Sequence, residues 1–235
     1  MNKNLRILII CYIVVAVFNI SISITSIKIN QSLLNNRIIE LEKKPTVNYL
    51  ESVTVLIIST LNNKGFIGTG VVIKITDNNT YILTNKHVCD DNYSCSIKIG
   101  EKYYPLERVK KYPGNADVQI LKTPFKLMDK TAIKGLSNTF TGDKVYVIGH
   151  YLSRPFTYSE GFVSGFYSNE NNDLIINASI GPGNSGSGVF DSDGNLVGLV
   201  HGVLTLSRDK NHEVMDLNQG FCVNSKILKE FLNIN

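Results

Sequence analysis

From Asn48 onward the chain is a succession of short apolar runs rich in Val, Ile, Thr and Tyr. "VTVLIIST", "TGVVIKI", "TYILTN", "CSIKIG", "DVQILK", "KVYVIG", "EGFVSGFYS", "DLIINA", "NLVGLVHGV" and "GFCVN" follow one another, punctuated by "NNKG", "DNN", "TGD" and "SDGN". β-Branched and aromatic side chains suit a pleated, half-buried surface. Short strands repeated at this density, with Gly, Asn and Asp between them, specify an all-β barrel or sandwich. Only "SKILKEFLN" near the end reads as a helix, with Ser225 as its N-cap. No internal repeat or linker divides residues 48–235.

The first 47 residues are different. Lys3 and Arg6 precede "LRILIICYIVVAVF", which "NISISITSI" extends, so Leu5 to Ile27 form a 23-residue apolar stretch. That length spans a bilayer. A cleaved signal peptide is the alternative, but Asn19 to Ile27 offers no small-residue cleavage site. Residues 1–27 are therefore expected to be an uncleaved signal anchor, a single-pass transmembrane helix. The preceding positive charges would keep its N-terminus in the cytoplasm and send the rest of the chain outward. Residues 28–47 read as a stalk or linker helix. Ile27, Leu34 and Leu41 are seven apart, with Ile24, Gln31 and Ile38 as a companion row. This short heptad pattern over 24–41 allows self-association, or an amphipathic helix lying on the domain.

Charge narrows the partners. Residues 1–45 hold six Lys or Arg against two Glu, and the rest of the chain holds 18 of each sign. The formal +4 thus lies wholly in the N-terminal segment. The folded portion has no basic excess to grip a nucleic acid backbone, and "RVKK" at 108–111 reads as a solvated loop.

Three positions could carry chemistry. His87 follows an apolar strand in "TNKHV", Asp117 opens another in "NADVQIL", and Ser185 is central in "GPGNSGSG". A nucleophilic serine needs a neutral imidazole to take its proton. It also needs a carboxylate to fix that imidazole's tautomer. The tetrahedral oxyanion needs N–H donors. Glycines around Ser185 let the loop turn its amides inward, making the N–H groups of Gly183 and Ser185 the expected oxyanion hole. Singly, each residue reads as structural; the order His, Asp, Ser at strand edges of an all-β chain gives the pattern its force. A silent peptide-binding module on the same fold, and an esterase or acyl transferase with the same triad, are the alternatives.

The chain resembles the chymotrypsin-fold serine peptidases, most closely the HtrA-type protease domain. The similarity is carried by "GTGVVI" (68–73), "YILTNKHV" (81–88), "ADVQILK" (116–122), "GDKVYVIGH" (142–150), "EGFVSG" (160–165), "GPGNSGSGVFDSDGNLVGL" (181–199) and "GFCVNSKILKEFL" (220–232). The resemblance implies two packed six-stranded β-barrels, about 48–130 and 137–235, with the site between them. It makes His87 the general base, Asp117 its orienter and Ser185 the nucleophile, acting on a polypeptide without a metal or other cofactor. It ends at Leu232, with no PDZ segment expected. "SGSG" replaces the family's "SGGP", and small Ser187 is expected to be tolerated. Gln119 is expected to fill a half-exposed strand position.

In such relatives the residue six before the serine lies at the base of the primary pocket, here Ser179, and no acid there favours Lys or Arg. Val200 to Val203, including His201 and Gly202, would form the wall. His201 suggests a glutamyl-type pocket, but the gap-free count places that histidine at Val200, and one step of register would turn His201 away. Small or medium uncharged side chains are therefore expected before the scissile bond. His150 and His212 read as structural or surface residues, not ligands, and Cys11 and Cys222 as packing residues. Cys89 and Cys95 could pair across a short loop or remain free thiols.

Overall fold

The computed structural model describes residues 17–34, 45–151, 154, 156–168, 170–208 and 213–233, without side chains at 204–208 and 213–218. The chain divides into two compact units, Met1–Lys43 and Lys44–Asn235.

In the first unit, residues 17–34 form a helix, α1, that runs unbroken across the expected anchor–stalk boundary. Its large apolar side chains, among them Phe18, Ile20, Ile24, Ile27 and Leu34, are exposed. Among the described residues no helix is long and apolar enough to cross a membrane. Leu5 to Ala16, the more apolar half of the run, and the stalk residues 35–44 lie outside the described residues.

The second unit opens with a short helix that the sequence reading missed, α2 (Val47–Ser52), capped by the Thr46 hydroxyl accepting from Tyr49 N–H. Thirteen strands follow among the described residues. The first seven are β1 (Thr54–Leu61), β2 (Lys64–Ile75), β3 (Thr80–Thr84), β4 (Ser94–Ile99), β5 (Lys102–Pro105), β6 (Glu107–Lys111) and β7 (Gln119–Thr123). They form one antiparallel sheet in the order β5-β4-β1-β2-β3-β7-β6. The remainder are β8 (Lys144–Gly149), β9 (Thr157–Phe166), β10 (Leu174–Ile176), β11 (Gly188–Phe190), β12 (Leu196–Arg208) and β13 (Glu213–Asn224). These close into a six-stranded barrel, β10-β13-β12-β11-β8-β9.

The fold is thus all-β and chymotrypsin-like, but the first half corrects the expectation of two six-stranded barrels. It is a seven-stranded half-barrel whose edges, β5 and β6, are consecutive in the chain and joined by Leu106 alone. One intervening residue cannot turn a hairpin, and Pro105 has no N–H to donate. The sheet therefore bends at this corner without a hydrogen-bonded seam.

Each half has its own core, Val55, Ile57, Val72, Ile82, Ile97 and Leu121 in the first and Val145, Val147, Leu174, Ile176, Val189 and Val197 in the second. A third cluster joins them: Val71, Leu83 and Val118 from the half-barrel meet Ile148, Phe190, Leu199 and Val223 from the barrel. The last helix, α3 (Ser225–Leu232), seals this cluster with Leu228 and Phe231. Its N-cap is Asn224, not Ser225. The Asn224 side chain accepts from Ile227 N–H at 3.1 Å and its amide donates to the carbonyls of Asn171 and Asn172. A serine hydroxyl could not span both tasks.

Candidate active site

β3 and β7 pair with Thr84 opposite Gln119. That register brings the residues just beyond β3 against those just before β7, so His87 and Asp117 meet although 30 positions apart. His87 opens a 3-10 turn, His87–Cys89. Its Nδ1–H donates to Asp117 Oδ2, and its backbone N–H donates to Asp117 Oδ1 at 3.2 Å. Burial opposes ionisation of Asp117. The hydrogen bonds and charge of His87, with the backbone N–H of Lys86, outweigh it and hold the carboxyl below its ordinary range. With Nδ1 committed to the carboxylate, Nε2 of the neutral ring is left as the acceptor.

The turn that presents His87 is fastened from beneath. Gln119 is fully buried, not half-exposed as expected. Its amide donates to the carbonyls of Asn85 (2.9 Å), Lys86 (3.3 Å) and Cys89 (3.0 Å). The 3-10 turn leaves these carbonyls without strand partners, which is why a polar side chain is buried there. The Asn85 amide donates to the Asp117 carbonyl at 2.7 Å. Cys89 and Cys95 form a disulfide with Cα atoms 6.1 Å apart, settling the alternative between a bridge and free thiols. "RVKK" also has a structural task. The Arg108 guanidinium donates to the carbonyls of Cys89, Asp90 and Tyr93 and so ties down the bridged loop.

Ser185 sits on a loop held in a conformation only glycine accepts readily. Gly183 and Gly186 have φ of 97° and 85°. A Cβ on Gly186 would come within 1.9 Å of the Thr69 carbonyl. The loop is pinned on both sides. Thr69 N–H donates to the Ser185 carbonyl, and Gly186 N–H to the Val200 carbonyl, each at 2.8 Å. Asn184 N–H donates to Gly181 and Ser187 N–H to Asn184. Among the described residues, no acceptor meets the N–H groups of Gly183 and Ser185. His87 and Ser185 line one cavity of about 360 Å³ with Phe66, Ile67, Val88 and Tyr93. No hydrogen bond joins the His87 and Ser185 side chains.

A second cavity, about 190 Å³, opens beside Ser185 and is lined by Ile180, Gly181, Pro182, Val200, Gly202 and Val203. Of the residues expected at the primary pocket, Val200 and Gly202 line this cavity, and Ser179 and His201 do not. Ser179 is exposed and outside this lining, its carbonyl accepting from the Ser159 hydroxyl at 2.9 Å. Alternation along the segment places its neighbour Ile180 in the cavity instead. His201 occupies a register shift in the β12–β13 ladder, between Val200 and Gly202. Its Nε2 lies 3.4 Å from Asp173 Oδ2 and its ring beside Phe221, so it is absent from the cavity wall.

The remaining singled-out residues are structural where described. His150 is buried against Phe156 and Thr69. Cys222 is a buried free thiol, its ionisation opposed by burial and by the charge of Asp173. Cys11 and His212 lie outside the described residues.

A six-stranded antiparallel barrel packed on a curled half-barrel, with a His–Asp pair on one and a glycine-held serine on the other, defines the chymotrypsin-like class. Residues 68–199 match the family of the Trypsin-like peptidase domain, to which the chain belongs. It is 31% identical over 157 residues to a "Serine protease HtrA-like" of Staphylococcus haemolyticus (strain JCSC1435), covering 60% of this chain and 25% of that protein. It is 28% identical over 162 residues to its namesake in Staphylococcus aureus (strain USA300), covering 62% and 21%. The chain thus aligns with about a quarter or less of the length of these relatives. Among solved structures, the HtrA-type protease AlgW with tripeptide superposes with a TM-score of 0.64 at 22% identity, covering 80% of this chain and 63% of that one. The active form of the Rv3671c protease from M. tuberculosis gives 0.64 at 24%, covering 82% and 85%. These two likenesses carry the fold alone.

Proposed function

We propose that the chain is a serine endopeptidase whose nucleophile is Ser185. The observation that carries the reading is the His87–Asp117 hydrogen bond in a cavity shared with Ser185. In this reading His87 Nε2 takes the Ser185 proton as Oγ attacks the scissile carbonyl. The oxyanion is met by the N–H groups of Gly183 and Ser185. His87 then returns the proton to the leaving amine, which departs as the C–N bond breaks, and water repeats the sequence to release the acid. Asp117 stays ionised throughout and stabilises the imidazolium.

The cavity of Ile180, Val200 and Val203 has apolar walls and, among the described residues, no charged side chain, which supports small or medium uncharged residues before the scissile bond. A polypeptide substrate is supported by the tripeptide named with a structural neighbour. Membrane anchoring through Leu5 to Ile27, with the protease unit outside the cytoplasm, is part of the proposal. The Cys89–Cys95 bridge supports an oxidising compartment. Incubating the purified full chain with a peptide library tests the reading. Cleavage after Ala or Val, lost in Ser185→Ala, is expected; binding of peptides without cleavage would favour a silent module on the same fold.

A further inference from the structure

The cavity shared by His87 and Ser185 has an aromatic wall with no task in the chemistry above. Phe66 and Tyr93 stack with ring centroids 5.5 Å apart and planes 9° from parallel. Phe66 is 45% exposed and its neighbour Ile67 36%, so this apolar surface faces solvent at the mouth of the site. Tyr93 stands on a loop built to hold still. The loop is closed by the Cys89–Cys95 disulfide, and Tyr93 N–H donates to the Asp90 carbonyl at 2.9 Å. Arg108 Nη2 donates to the Tyr93 carbonyl at 2.9 Å. A rigid aromatic surface loses little entropy when a side chain packs on it.

The side of the scissile bond this wall serves follows from proton transfer. The leaving amine takes its proton from His87 and so departs on the His87 side of Ser185. His87 lines the cavity of Phe66 and Tyr93 and is absent from the one formed by Ile180, Val200 and Val203. The acyl half of a substrate therefore occupies the latter cavity and the leaving half the former.

We propose that Tyr93, stacked on Phe66, is a specificity-determining residue of the leaving side, selecting an aromatic or large aliphatic side chain just after the scissile bond. The inference rests on the peptidase reading. Covering an exposed apolar patch with such a side chain discriminates by roughly tenfold against glycine.

The test uses the full chain in detergent and two tripeptide amides, one beginning with Phe and one with Gly, titrated by calorimetry. Peptide substrates differing only in the residue after the cleaved bond are profiled in parallel. The Phe-first tripeptide is expected to bind about tenfold more tightly, with the same preference in hydrolysis. Tyr93→Phe keeps the preference, whereas Tyr93→Ala and Phe66→Ala abolish it while unfolding cooperatively like the wild type. Equal handling of Phe and Gly by the wild type, or a preference that survives both alanine variants, overturns the proposal. Labelling of Ser185 by a fluorophosphonate separates this result from the underlying reading. A labelled chain that treats both tripeptides alike loses only the leaving-side subsite, whereas an unlabelled chain that prefers Phe overturns the peptidase reading and, with it, the leaving-side role, leaving only a peptide-binding patch.

Discussion

The Thr69 hydroxyl donates to the Gly183 carbonyl at 2.9 Å, while Thr69 N–H holds the Ser185 carbonyl at 2.8 Å. One residue of β2 thereby clamps both ends of the tripeptide Gly183–Ser185, which bears the proposed nucleophile and the two proposed N–H donors. The hydroxyl has a single proton, already given to Gly183. His150 Nδ1, 3.2 Å from the same oxygen, must therefore be its donor, as is His150 N–H at 3.2 Å.

Thr69→Val keeps the shape and removes this junction. Three polar partners lose their bonds, and destabilisation of about 1–3 kcal/mol is expected. On the proposed mechanism, turnover should fall about ten- to a hundredfold as the proposed oxyanion donors lose their hold, with KM changed far less. Thr69→Ser should restore both. Thermal unfolding and steady-state kinetics on the three proteins check this.

His150 makes stability sensitive to mild acid. Burial, with the charge of Lys130 nearby, lowers its pKa to about 4 from an ordinary 6.5. Below pH 6.5 the unfolded chain binds the proton and the folded chain does not, so stability is full above that pH. It declines as the pH falls toward 4, by on the order of 3 kcal/mol. Asp117 acts in a lower window: its carboxyl is held below the ordinary range, and its contribution is lost only as the pH falls through that depressed value. Denaturant unfolding between pH 7 and 4 should show the decline. His150→Asn, which retains a donor near the Nδ1 position but does not titrate, should flatten it.

Reducing the Cys89–Cys95 bridge should cost roughly 2 kcal/mol by freeing the loop in the unfolded chain. Unfolding with and without reductant measures this, and Cys89→Ser together with Cys95→Ser should make the two curves coincide.

The candidate site was legible because it depends on residue type and chain order: His87 follows β3, Asp117 precedes β7, and Ser185 is central in a glycine-rich loop. What stayed hidden depends on neighbours across the fold. Gln119 reads as a surface-strand residue, yet β7 is covered on one side by core and on the other by the His87 turn, whose carbonyls require its amide. His201 was ambiguous because the β12–β13 register shift that sets its direction leaves no mark in the sequence. Ser225 and Asn224 are both good caps; only the long reach of Asn224 to Asn171 and Asn172 decides between them. The half-barrel's open corner likewise follows from the single-residue link at Leu106, which strand-like periodicity cannot reveal.

The central claim, that Ser185 is an activated nucleophile, is tested most directly by treating the full chain with a fluorophosphonate and locating the adduct by mass spectrometry. One adduct is expected, on Ser185, absent from Ser185→Ala and slowed by about 10³-fold or more in His87→Ala, with Asp117→Asn lowering turnover by about 10⁴-fold. A chain left unmodified under conditions that label other serine peptidases, or an adduct undiminished in Ser185→Ala, would contradict the account.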